Sequence, residues 1–174
     1  MELSTLNESD QSVFTEALAD IFEHSAWIPS ETWPSKPFDS VEELHSKLCQ
    51  TLSASTEEQK LQLIRAHPDL AGKLSVSGEL TEFSTSEQQS AQLDKLTPGQ
   101  FERISNLNQE YKEKFEFPFI ICVKEHTQSS IFDHFEERVN NDPVTELDAA
   151  LFQICRIAWH RLNHLLPPFN PISQ

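Results

Sequence analysis

The chain has 174 residues, the length of one ordinary domain. Thirteen lysines and arginines face 28 aspartates and glutamates, a formal net charge of −15, which argues against a nucleic-acid partner or an anionic membrane face, since both are held through basic patches. Only three glycines are present, against about a dozen at average usage, so no glycine-rich phosphate loop or dinucleotide fingerprint can be assembled.

Val13, Phe14, Leu18, Ile21 and Phe22 fall on one helical face, with Asn7 or Ser9 as the expected cap. The stretch from Trp27 to Phe38 holds three prolines and two tryptophans and reads as an ordered loop, not a helix. Ser40 with Glu43 forms a capping box for a helix through about Leu52, and Ser55 with Glu58 forms another for a helix through Ala66. Ser84 with Glu87 repeats the pattern and predicts a helix opening there and running to about Leu96. Thr97-Pro98 supplies a cap and a first-turn proline for a long helix to Phe115. Phe117 to Val123 (FPFIICV) is the only stretch that could be a buried strand, but it has no partner strand, so an extended segment or a helix start fits it equally. Thr127 starts another helix, and Asp142-Pro143 begins the last, which runs to Leu166 before PPFNP stops it. The expectation is an all-α helical bundle of seven or more helices, one domain over residues 1–174, with twelve phenylalanines and three tryptophans to fill its core.

The remaining global signals are quiet. The start, MELSTLNESD, lacks a basic stretch followed by an apolar run, and no segment approaches the length of a membrane span. Cys49, Cys122 and Cys155 form no CxxC pair and read as reduced, mostly buried thiols. With no peroxisomal Ser-Lys-Leu ending, the expected location is the cytoplasm.

Four places could carry chemistry. In Arg65-Ala66-His67-Pro68-Asp69-Leu70-Ala71-Gly72-Lys73, Pro68 disfavours helical geometry at His67, leaving the imidazole at a helix C-terminus that favours its protonated form. The same residues also read as a plain helix-ending turn, with His67 capping carbonyls and Gly72 in a left-handed conformation. Ser84-Thr85-Ser86-Glu87-Gln88 is either a capping box or a helix start that presents hydroxyls and a carboxylate to a small polar ligand. The segment 117–123 is either core or a pocket wall whose backbone groups meet a heterocycle.

The last helix carries the fourth. His160 and His164 are four apart, a metal-sharing spacing, but Arg-Leu-Asn stands between them in place of a zincin's glutamate, and no metal is expected. Arg156 and Arg161 are two of only five arginines, and their helix also bears Ile154, Ile157, Trp159 and Leu162, a pattern that can turn one of them inward. A buried arginine needs a carboxylate, from the protein or from a ligand. The alternative is a surface ion pair near a helix end.

Taken together, AHPDLAGK (66–73), SxxEQ (84–88), LNxxYKEKFxFPFIICVK (107–124) and RIAxxRL (156–162) resemble the OHCU decarboxylase family, in order and without large gaps over about residues 10–166. The resemblance implies an all-helical fold, usually a homodimer, and cofactor-free decarboxylation of 2-oxo-4-hydroxy-4-carboxy-5-ureidoimidazoline to (S)-allantoin and carbon dioxide in urate degradation. Carried over by position, the catalytic histidine falls on His67, its carboxylate partner on Glu87, and the arginine that grips the substrate carboxylate on Arg161. Binding positions fall on Pro68, on Ser84, Thr85, Ser86 and Gln88, and on Phe119, Ile120, Ile121, Cys122 and Val123. One departure is visible: the glycine usual a few residues after SxxEQ is absent near Gln92, where a packing change is expected. The reading from a different class is a catalytically inactive acidic helical module that serves interaction and keeps these motifs as structure.

Overall fold

Threonine and aspartate side chains open the helices where the sequence offers them. In the computed structural model, which describes residues 1–72 and 82–167, Thr97 accepts from the Gln100 amide at 3.2 Å while Gln100 returns a bond to the Thr97 amide at 2.9 Å. The helix they start spans Pro98–Phe115. Thr127 and Ser130 cap Gln128–Arg138 in the same reciprocal way, and Asp142 Oδ1 accepts from the amides of Val144 and Thr145, both at 3.1 Å, at the head of Pro143–Leu165. These three helices begin where the caps predict. Nine α-helices lie among the described residues: α1 (Leu3–Glu8), α2 (Gln11–Ala17), α3 (Trp27–Thr32), α4 (Val41–Ala54), α5 (Glu57–Ala66), α6 (Glu82–Ser90), α7 (Pro98–Phe115), α8 (Gln128–Arg138) and α9 (Pro143–Leu165). No strand occurs among the described residues, and the fold is all-α. Lys73 and most of the closing PPFNP stretch lie outside them.

Several expectations are corrected. The stretch from Trp27 contains helix α3 and a 3₁₀ turn over Trp33–Ser35. Pro29 is tolerated because it stands in the first turn, where amide hydrogens have no intrahelical acceptor to lose. The cap of α2 is Asp10, which accepts from the Val13 amide at 2.9 Å, and Val13 itself is 52% exposed. The box before α5 is Thr56 with Gln59, one residue later than Ser55 with Glu58. Ser84 and Glu87 do not open a helix: α6 already begins at Glu82, so both stand inside it, and it ends at Ser90 before a separate 3₁₀ turn over Leu93–Lys95. A short helix, α1, precedes the first one expected.

The chain divides into two compact units, residues 1–60 with those from 155 onward, and residues 61–154. In the first, α3 packs on α2 and α4, burying Phe14, Ile28, Leu44, Leu48 and Leu52. Leu18, Ile21 and Phe22 stay buried although α2 stops at Ala17. In the second, Tyr111 is fully buried with its ring centroid 4.5 Å from Phe115, 5.4 Å from Phe119 and 5.7 Å from Phe135. Helix α9 lends its first half to this unit and its second half to the other. No described helix is long and apolar enough to cross a membrane.

Gln92 explains the missing glycine. It sits at φ 57° and ψ 30°, the left-handed region where a Cβ costs energy and glycine does not. Gln92→Gly is expected to raise the free energy of unfolding by about 0.5–1 kcal/mol, the relief of the left-handed Cβ exceeding the added freedom of the unfolded chain. Urea denaturation of the two proteins checks it; an equal or lower midpoint would show the strain to be negligible.

Candidate active site

Helix α5 ends at Ala66, and His67 follows it as the Pro68 constraint requires. Its imidazole is buried, and Nδ1 lies 2.9 Å from the Leu63 carbonyl, one of the last carbonyls of α5. That carbonyl can only accept, so Nδ1 carries a hydrogen and proton exchange falls to Nε2. The bond to Leu63 is the helix-capping contact, and it orients the ring. Beyond Pro68, Ala71 takes φ 48°, and Gly72 turns so tightly that a Cβ there would stand 2.9 Å from the Asp69 Cβ. The glycine is required by this close approach.

Helix α6 holds this loop. Gln88 Oε1 accepts from the Ala71 amide at 2.9 Å, and its Nε2 donates to the Asp69 carbonyl at 3.5 Å. From α7, Asn108 Nδ2 donates to the Leu70 carbonyl at 2.9 Å, and Lys112 pairs with Asp69 at 3.1 Å. Gln88 is thus a clamp on the loop backbone. Ser84, Glu87 and Gln88 share one helical face and are all buried. Both Ser84 and Glu87 stand inside α6, so neither is its N-cap. Thr85 is half-buried and Ser86 exposed, so the helix does not bring those two to the same face.

The segment 117–123 is extended and buried, ending in a 3₁₀ turn over Val123–Glu125 against which α6 packs. Phe119, Ile120, Ile121, Cys122 and Val123 are each at most 4% exposed. Its backbone is anchored from two helices: Arg138 Nη1 donates to the Ile120 carbonyl at 2.7 Å, and the Cys122 amide donates to Gln153 Oε1 at 2.8 Å. Arg138 is itself fixed by Glu146, through Nε at 2.8 Å and Nη2 at 2.5 Å, and its guanidinium lies 4.4 Å over the Phe119 ring. Glu146 also accepts from the Tyr111 hydroxyl and from Asn141 Nδ2. Burial, then the bond to Glu146, pushes the Tyr111 phenol well above its ordinary value. Arg138, Glu146, Tyr111, Asn108 and Gln153 did not stand out in the sequence as site residues. The signal was present for two of them, since Asn108 and Tyr111 lie one turn apart within LNxxY, a polar residue on an otherwise apolar face.

In the other unit, Arg161 is 1% exposed and pairs with Glu23 at 3.0 Å, its Nη1 also reaching the Asp20 carbonyl at 3.1 Å. Arg161 is the arginine of α9 turned inward; Arg156 is half-buried. His160 is half-buried and His164 exposed.

Fold and site together define an all-helical protein that buries an imidazole and a carboxylate, His67 and Glu87, on elements held by side-chain bonds to the backbone. The family profile of OHCU decarboxylase matches residues 7–163, and the chain belongs to that family. It is 38% identical over 162 residues to the 2-oxo-4-hydroxy-4-carboxy-5-ureidoimidazoline decarboxylase of Haloferax volcanii, covering 93% of this chain and 94% of that one. To the protein of the same name from Halalkalicoccus jeotgali it is 36% identical over 168 residues, 97% of this chain and 93% of that one. A solved (S)-allantoin synthase matches with a TM-score of 0.75 at 27% identity, over 95% of this chain and 54% of that one, so this chain spans about half its length.

Removing the Glu146 carboxylate would leave Arg138 buried without its partner. Glu146→Ala is expected to lower stability by about 3–5 kcal/mol, as breaking a buried ion pair does. Thermal and urea unfolding check it; a loss below about 1 kcal/mol, the range of exposed pairs, would mean that the pair is solvated.

Proposed function

We propose that this protein is a carboxy-lyase of urate degradation, converting 2-oxo-4-hydroxy-4-carboxy-5-ureidoimidazoline to (S)-allantoin and carbon dioxide. The observation that carries the reading is the burial of His67 and Glu87 inside the very motifs that the family match spans. The match runs through both compact units, which supports one functional domain over the chain.

The substrate has a hydroxyl and a carboxylate on one ring carbon, beside a C=N bond. When the bond to the carboxylate breaks, its electron pair forms a ring C=C and the C=N π pair moves onto nitrogen, which takes a proton. The substrate therefore carries its own electron sink, and the reaction proceeds without a cofactor. The enol then loses its hydroxyl proton while the neighbouring carbon gains one, and the face of that protonation sets the S configuration. His67 and Glu87 act as the acid–base pair for these transfers. Nδ1 of His67 is tied to Leu63, so Nε2 is the nitrogen that exchanges the proton. Arg161 is the cation assigned to the substrate carboxylate. Ser84, Pro68 and the 119–123 segment supply binding surface, and because the Ile120 carbonyl and Cys122 amide are already bonded, other backbone groups of that segment meet the ring. The protein works as a cytoplasmic homodimer, which sedimentation would report as twice 19.9 kDa.

Circular dichroism of freshly generated substrate follows (S)-allantoin directly. The unaltered protein is expected to accelerate the signal over the spontaneous rate. His67→Asn and Glu87→Gln should each reduce kcat by about 10²-fold or more, the usual contribution of a positioned acid or base, with folding intact. Full activity in either variant would refute its assignment, and an inactive parent protein would refute the function.

A further inference from the structure

Two of the three cysteines are only partly buried. Cys49 on α4 and Cys155 on α9 are each half-exposed, whereas Cys122 is 1% exposed. Both belong to the same compact unit, and His45 stands between them. Its Nε2 donates to the Cys155 carbonyl at 2.8 Å and lies 3.4 Å from Cys49 Sγ, with the ring braced edge-on against Trp159 at 5.3 Å. The Cys49 sulfur and the Cys155 backbone thus meet at one ring nitrogen, and each thiol perturbs the ionisation of the other. Nothing in the proposed decarboxylation uses either sulfur.

We propose that Cys49 and Cys155 form a dithiol site for two-electron oxidants of the peroxide class, closing to a disulfide that staples α4 to the last helix. The polarity of the thiol pair sets the order of events. The Cys49 side chain holds the Cys155 thiol below its ordinary range, while Cys155, then burial, pushes Cys49 up. Cys155 is therefore the attacking thiolate. Its sulfur displaces one peroxide oxygen as the O–O bond breaks, giving a sulfenic acid and a first water. Cys49 sulfur then attacks the sulfenyl sulfur; the S–S bond forms, the S–O bond breaks, and the second water leaves with the Cys49 proton. Two electrons pass from the two sulfurs to one hydrogen peroxide, which becomes two waters. Because both cysteines are held at His45, this second step is intramolecular and runs ahead of further oxidation of the sulfenic acid.

The test treats the full-length protein with equimolar hydrogen peroxide and counts thiols after denaturation, with peptide mapping under non-reducing conditions. The expected result is a fall from three free thiols to one. A cross-linked Cys49–Cys155 peptide, lighter by two hydrogen atoms, should appear and revert on reduction. Cys49→Ser should stop at a sulfenic acid on Cys155 that a dimedone probe traps, and Cys155→Ser should slow thiol loss at least about tenfold. Sulfinic acid at Cys155 without a cross-link, oxidation centred on Cys122, or thiols unchanged in the unaltered protein would each overturn the proposal. These measurements read the sulfur chemistry alone, so they stand whether or not the decarboxylase reading does.

Discussion

The buried pair of Arg138 and Glu146 is the interaction on which the larger unit's interior depends. An arginine in an apolar interior must be compensated, and Glu146, at 0% exposure, does so through the Nε and Nη2 edge of the guanidinium. The Nη1 that remains reaches the Ile120 carbonyl, and the flat face of the cation covers Phe119. Phe119 in turn stacks on Phe135 at 3.9 Å, and Tyr111 closes the arrangement by donating its hydroxyl to Glu146. Three helices and one extended segment are thereby joined through a single charge pair. Extended backbone without a neighbouring strand cannot satisfy its own polar groups, and this pair, with Gln153, does part of that work.

A second constraint governs the histidine loop. Gln88 and Asn108 reach it from two different helices, each to backbone atoms, so the loop's path is held by directional bonds and by the tight turn at Gly72. The aim of the His67 imidazole is thereby set by the backbone around it. The net charge of −15 works against capture of an anionic substrate at long range. Affinity for such a substrate must come from local cations in water-poor surroundings, where a single guanidinium interacts far more strongly than at the surface.

The helices from residue 97 onward were legible because their first turns carry side chains that can only be caps, and because Pro98 and Pro143 fit a helix start and nothing later. Residues 27–35 were misread since proline counts as a breaker on average and is harmless in a first turn. The same local logic misplaced Ser84 and Glu87: their spacing satisfies a capping box, and only the observed start of α6 at Glu82 distinguishes a box from two buried residues on one face. His67, Glu87 and Arg161 were singled out by the motifs that resemble the family, and the structure adds that each is buried. Gln88, read from those motifs as a binding residue, turns out to hold the loop backbone, a role that depends on which atoms come near it in space.

By itself the sequence determined the helical class, the starts of α4, α7, α8 and α9, the end of α5 just before His67 and the family to which the chain belongs. Each of these follows from neighbours within about one helical turn, or from an ordered set of motifs. Only the tertiary structure decided which arginine is buried and against what, that Glu146 rather than a ligand compensates Arg138, that Gln92 occupies a glycine's conformation, and that Cys49 and Cys155 meet at His45. The physical reason is common to all of them. A buried charge or a thiol pair is defined by partners far away along the chain, from Glu23 to Arg161 and from Cys49 to Cys155, and no local pattern records that distance.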